Sequence, residues 1–166
     1  MSNPFTIQRL LKAPRQLVWD VYTQPQHLPN WFGPKGSSMP SSKLDFRVGG
    51  TFHYSMKTEG GQELWGKWLF REIKAPEKIV LIQHFSDPAG GVTRNPWNPK
   101  WPLHTLSTTT LTAKGDDTLL HLEWAAFEAT AEEAAIFDAN HASMTQGWSG
   151  NIDVLEDYLS LLQTKV

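Results

Sequence analysis

The chain has 166 residues, enough for one domain (1–166) with a real core, and no repeat or low-complexity tract divides it. Fifteen Lys and Arg stand against 17 Asp and Glu, with no like-charge run longer than two, so no basic stripe suits nucleic acid or an anionic membrane. There is no cysteine, which excludes disulfides and thiolate chemistry, and no apolar run approaches the ~20 residues of a membrane span. Met1-Ser2-Asn3-Pro4-Phe5 lacks a secretory pattern, and the cytoplasm is the expected location.

Phe5 to Leu11 alternates in the manner of a first strand. Ala13-Pro14 then predicts a helix start, with proline at the first helical position, running to about Thr23 before Gln24-Pro25 breaks it. A second short helix is predicted from His27 to Phe32, stopped by Gly33-Pro34. Residues 34–39 read as a loop and 40–47, 51–58 and 63–73 as strands. Gly49-Gly50 predicts a tight primed turn between the first two of these, because glycine alone takes positive φ there at no steric cost. Asp45 and Arg47, two apart on one strand face, are expected to pair and brace that hairpin.

Ala75-Pro76-Glu77 marks a turn, and Lys78 to Ser86 the next strand. The stretch from Asp87 to Pro102, rich in proline and glycine, cannot be a central strand and reads as a functional loop. Its Trp97 and Trp101 suit a lid or a partner contact, or else lie buried over a sheet edge. Thr105 to Ala113 and Thr118 to Ala126 complete seven predicted strands. Thr130 with Glu133 has capping-box form and opens a helical pattern to Leu162, which Asn140 can interrupt. Ala134, Phe137, His141, Met144, Trp148, Asn151, Leu155, Leu159 and Leu162 recur at spacings of three or four and define its apolar stripe. The order predicts an α+β fold: a curved antiparallel sheet wrapped on a long C-terminal helix, with two short helices after the first strand.

Several motifs point further. Ala13-Pro14 with Val18-Trp19, Gln24-Pro25, Trp31-Phe32-Gly33-Pro34, Asp45-x-Arg47-x-Gly49-Gly50, Gly66, Ala75-Pro76-Glu77-Lys78-Ile79 and Gly147-Trp148 occur in one order along nearly the whole chain. Together they resemble the homologues of the activator of heat-shock-protein-90 ATPase. That family belongs to the START-like (SRPBCC), helix-grip superfamily shared with the birch-pollen allergen and polyketide cyclases. The resemblance implies the helix-grip fold and leaves activity open, since the superfamily holds lipid carriers, receptors, cyclases and small bacterial proteins. The eukaryotic activators carry a further amino-terminal domain that engages the chaperone, whereas this chain opens on the first grip strand; chaperone contact is therefore a subordinate expectation.

Strand parity selects the residues expected to face the long helix: Phe52, Tyr54 and Met56, then Trp68 and Phe70 beside Gly66, then Leu120, Leu122 and Trp124. Opposite them lie Phe137, His141, Met144 and Trp148, with Gly147 expected to admit close backbone approach. The eight tryptophans serve either a bulky core or the wall of a cavity. A hollow interface predicts a hydrophobic or aromatic small-molecule ligand, lipids included, held between the Phe137–Trp148 half of the helix and the sheet, while Leu155–Leu162 seals the core. A solid interface would leave Asn140 and His141 at the surface.

His141 and Tyr54 are the acid–base candidates for a cofactor-independent cyclase or dehydratase, with His84 as a possible partner. No metal or other cofactor is expected, because the six histidines are scattered and no phosphate loop occurs. Gly147-Trp148-Ser149-Gly150 falls within a helix and is not a nucleophile elbow. A homodimer is left open.

Overall fold

A computed structural model describes residues 3–164. Eight antiparallel strands form one sheet: β1 (Phe5–Leu11), β2 (Ser38–Leu44), β3 (Thr51–Lys57), β4 (Glu63–Lys74), β5 (Lys78–Ser86), β6 (Val92–Thr93), β7 (Thr105–Lys114) and β8 (Asp117–Ala126). Their order is β1-β8-β7-β5-β4-β3-β2, with the two-residue β6 added beside the end of β5. β6 lies in the stretch predicted to hold no central strand; it pairs only with β5 and brings the count from seven to eight. Between β1 and β2, at opposite sheet edges, the chain crosses through α1 (Arg15–Thr23) and a single 3-10 turn at Leu28–Asn30. The helix predicted from His27 to Phe32 is only that turn.

The sheet bends where its ladder slips. Register shifts fall between Phe70 and Glu72 on β4 and between Ser38 and Ser41 on β2, and an extra residue on one strand raises local twist and curvature. The double glycine does something other than a two-residue turn. Asp45 N–H still pairs with Thr51 O at 2.8 Å, so residues 45–50 form a longer loop. Only Gly49 has positive φ, at 84°. Gly50 is required for space: a Cβ there would sit 2.1 Å from the Asp45 carbonyl oxygen. Arg47 does pair with Asp45, at 2.9 Å.

α1 starts one residue later than predicted, with Pro14 as its N-cap in extended conformation. The C-terminal pattern divides at Asn140 into α2 (Ala131–Ala139) and α3 (His141–Thr164). The capping box is present: Glu133 N–H donates to Thr130 Oγ1, and Thr130 N–H donates to the Glu133 carboxylate. Met144, Asn151, Ile152, Leu155 and Leu159 are the buried residues of α3. Leu155 and Leu159 join the main core with Phe52, Phe70 and Leu120, and each buried leucine contributes about 1.5–3 kcal/mol. A smaller cluster of Phe5, Phe137 and Met144 lies apart from it, and Ile7 and Trp148 pack against both.

Polar contacts fix how α3 sits. Arg9 shares a sheet face with Ile7 and reaches Asp153, at 2.8 Å, and Glu156 on α3. Deeper, Asn151 Nδ2 donates to Trp31 O at 2.7 Å while its Oδ1 accepts from Gly33 N–H at 3.1 Å. Gly33 is held at φ 120°, where a Cβ would press on Met56 and Ser37. Replacing Asn151 by Leu strands two buried backbone groups, and the expected destabilisation is on the order of 2–4 kcal/mol. Urea unfolding at constant m-value measures it; a loss under about 1 kcal/mol would mean the clamp contributes little.

Candidate functional site

Between the sheet and the first half of α3 lies a partly open cavity of about 420 Å³. β3, β4 and β5 supply Tyr54, Met56, Gly66, Gln83 and His84. From α3 and its start come Asn140, Ser143, Met144, Trp148 and Asn151. Phe32, Gly33 and Pro34 close one side, and Asn95, Trp101, Pro102 and Leu103 of the 87–104 strap close another. Trp124 and Thr105 come from β8 and β7.

Local sequence explains the hollow. Tyr54 and Gly66 are cross-strand partners. A Cβ at Gly66 would lie 2.4 Å from the Tyr54 ring, so the glycine lets that ring lie flat over the strand. Gly147 does not admit close approach, as the sequence suggested; nothing lies within 4 Å of where its Cβ would be. It borders open space.

Of the residues singled out from parity, Tyr54, Met56, Trp124, Met144 and Trp148 line the cavity. Trp68 faces an adjoining void of about 20 Å³, which also touches Tyr22, Ser107 and Thr109. Phe52, Phe70 and Leu122 are core residues behind the cavity wall. Phe137 is fully buried, 5.1 Å from the Trp124 ring and 5.4 Å from the Trp101 ring. His141 is turned away: its Nε2 donates to the Asn3 carbonyl at 2.9 Å, and its ring packs edge-on against Phe5. The local pattern reads Phe32 as a helix end, Gly33-Pro34 as its stop and the segment as a family motif, none of which marks a cavity wall. Pairing in space, invisible in the local pattern, makes them a wall.

The tryptophans divide between both readings. Trp19, Trp31 and Trp68 are buried core, whereas Trp101, Trp124 and Trp148 border the cavity. The strap divides too. Trp97 is 60% exposed, while Trp101 packs on Phe137 and Trp124.

Among the polar lining groups, burial pushes the Tyr54 hydroxyl up to about 12, partly offset by the adjacent Trp68 N–H and Gln83 side chain. Tyr54 therefore stays protonated at neutral pH. His84 Nε2 and His104 Nδ1 share a hydrogen bond at 2.8 Å. Burial first, and His104 second, push the His84 imidazole down to about 4, so it is neutral in the same range. Among the described residues, no three His, Asp or Glu side chains meet at metal-holding distances, and no helix is long and apolar enough to cross a membrane.

The strap is pinned from outside. Arg94 pairs with Glu133, and Lys100 pairs with Glu132 at 3.0 Å, tying it to the start of α2. The Thr130 backbone N–H, then Arg94, hold the Glu133 carboxyl below its ordinary 4.5. A lowered carboxylate stabilises above its unfolded value and loses that contribution as pH falls through the folded one. Two measurements follow from that sign. Glu132→Gln with Glu133→Gln should lower amide protection of residues 94–104 several-fold without changing that of α3. Acidifying the unaltered protein through the carboxylate range should reproduce the effect; unchanged strap protection in both would dismiss the pins.

A curved antiparallel sheet gripping a long terminal helix around a cavity defines the START-like, helix-grip class. Residues 12–160 match the family model described as "Activator of Hsp90 ATPase homolog 1-like protein", and the chain belongs to that family. Solved structures share the fold at low identity. A protein from Arthrobacter aurescens is 24% identical, with a TM-score of 0.77 over 95% of this chain and 86% of its own. Protein NE0264 from Nitrosomonas europaea is 21% identical, with a TM-score of 0.75 over 96% of both chains. The AHSA1 protein from Silicibacter pomeroyi is 15% identical, with a TM-score of 0.72 over 96% and 99%. No curated protein matches the chain.

Proposed function

We propose that this protein binds a hydrophobic or aromatic small molecule in the cavity between its sheet and α3. The observation that carries the reading is a cavity of about 420 Å³ walled by Phe32, Tyr54, Trp101, Trp124, Trp148 and Met144 with no charged side chain. That volume lies within the range of about 300–1,000 Å³ typical of ligand pockets. Aromatic walls and methionines give a large, adaptable apolar surface. A purely structural interface would fill the space with side chains, because voids of this size cost packing energy.

Of the acid–base candidates, Tyr54 and its possible partner His84 line the cavity, Tyr54 held protonated and His84 held neutral by burial, while His141 has its imidazole committed to Asn3. Binding without turnover therefore fits the lining better than cyclase or dehydratase chemistry.

Gly147→Leu supplies the test. The site lies inside α3 with open space at its Cβ position, so the substitution should stabilise the fold by about 0.5–1 kcal/mol. It should also weaken binding of the neutral fluorescent probe phenylnaphthylamine at least several-fold, as the leucine fills the hollow. Trp148→Phe should lose part of the probe-induced tryptophan quenching, with the other cavity tryptophans keeping the rest. A variant that gains stability yet binds the probe unchanged, or a native protein that binds no probe and carries no small-molecule adduct in native mass spectrometry, would sink the reading.

A further inference from the structure

β7 turns an unusual face toward the interior. Its inward positions before Leu111 are Thr105, Ser107 and Thr109, although the ladder partners of Ser107 and Thr109 are Leu81, Trp124, Ile79 and Leu122. All three are buried, Ser107 at 5% and Thr109 at 7% exposure. Thr105 Oγ1 donates to Gln83 O at 3.3 Å, whereas the hydroxyls of Ser107 and Thr109 meet no partner within the protein. A buried hydroxyl without a partner is costly, and an apolar residue would suit this strand at no such cost.

Access separates these hydroxyls from the other unpaired groups. Among the described residues, Trp68 Nε1, His84 Nδ1 and Trp124 Nε1 are unpaired and sealed, so none of them can meet a ligand. The Ser107 and Thr109 hydroxyls are unpaired without being sealed, and both residues line the void of about 20 Å³. Gln83 borders both that void and the main cavity, as do the rings of Phe32 and Trp148. Its carboxamide lies beside the Tyr54 hydroxyl, and neither group makes a hydrogen bond of conventional geometry. Elsewhere on the cavity wall, Asn151 is spent on Trp31 and Gly33, and Asn140 Nδ2 on Ile136 O. Ser143 carries no hydrogen bond but stands on the exposed first turn of α3, at the mouth. The unused polar groups at depth thus gather around Gln83, Ser107 and Thr109.

A void of that size admits one water-sized group. Its polar lining, Tyr22 included, consists of hydroxyls and a carboxamide, which both donate and accept. No charged side chain borders either space, so an ammonium or a carboxylate would enter without a counter-ion. Resting on the ligand-binding reading above, we infer that the inner void is a hydroxyl subsite. The ligand is a neutral alcohol or phenol whose apolar body fills the main cavity. Its O–H passes Gln83 and exchanges hydrogen bonds with Ser107 and Thr109. Gln83, an unbranched chain beside two rigid rings, is the part of the partition that gives way.

Three probes of one skeleton test this: biphenyl, 4-phenylphenol and biphenyl-4-carboxylate. Each is titrated calorimetrically into the unaltered protein and into Ser107→Ala with Thr109→Val, which removes two hydroxyls that lie outside the main cavity. The double substitution should weaken 4-phenylphenol about tenfold, the scale of a lost buried hydrogen bond. Biphenyl should keep its affinity to within about twofold, and the carboxylate should bind weakest to both proteins. In the unaltered protein, the backbone amide signals of residues 107 and 109 should shift with 4-phenylphenol and not with biphenyl. Should the double variant not fold, those shifts decide alone. Undiminished 4-phenylphenol binding in the variant, or equal losses for phenol and hydrocarbon, overturns the subsite, which then holds a water only, and leaves the apolar cavity standing. A tightest-binding carboxylate overturns neutrality. Binding of none of the three overturns this inference and the ligand-binding reading together.

Discussion

One buried carboxamide divides the long helix into two roles. Asn151 stands on the inward face of α3 and satisfies a carbonyl and an N–H of the 31–33 segment at once. Below it, Leu155 and Leu159 are sealed in the main core; above it, Met144 and Trp148 face open space. Buried backbone groups that lack their own secondary-structure partners must be paired by something. Here the pairing agent is a side chain on the very helix that roofs the cavity. The roof and the Phe32–Pro34 wall are thereby held at one spacing, and a slide of either would break both bonds.

The cavity persists because its walls cannot easily collapse. Indoles and phenyl rings are rigid, with two χ angles each, and they brace one another edge-to-face: Phe32 against Tyr54 and Trp68, Trp124 against Phe137 and Trp148. Beneath them Gly66 gives the Tyr54 ring its seat. Two hydrophobic clusters, one built on the sheet and one on Phe5, Phe137 and Met144, are each packed internally and do not merge. What lies between them is the site. The strap lies over the same region, with Trp101 anchored inward and two ion pairs outward. The exposed Lys100–Glu132 pair contributes little to global stability, whereas the Glu133 carboxylate that meets Arg94 is largely buried.

The class of fold was legible in the chain. Period-two alternation in β3, β4 and β8 and a three-or-four spacing from Phe137 to Leu162 depend only on backbone geometry, so they survive any particular packing. Motif order added the family. The inward faces of Tyr54, Met56 and Trp124 also follow from parity, as does the inward face of Met144 from helical spacing. Parity says which side a residue takes, not how deep it lies. Phe52 and Phe70 share the face of Tyr54 yet sit in solid core, and His141 keeps the stripe's spacing yet turns outward at the start of α3, where Asn140 ends α2.

Some errors have a common origin in contacts distant along the chain. The double glycine at 49–50 looked like a two-residue turn, but its shape answers to Phe70, which exchanges hydrogen bonds with both glycines from β4. The 31–34 segment looked like punctuation and became a wall because Asn151, over a hundred residues later, binds it. Period, propensity and capping are local quantities, and the sequence by itself therefore determined the elements, their inward faces and the family. Where a hollow is left depends on how finished surfaces fail to fill space together. Only the tertiary structure decided that.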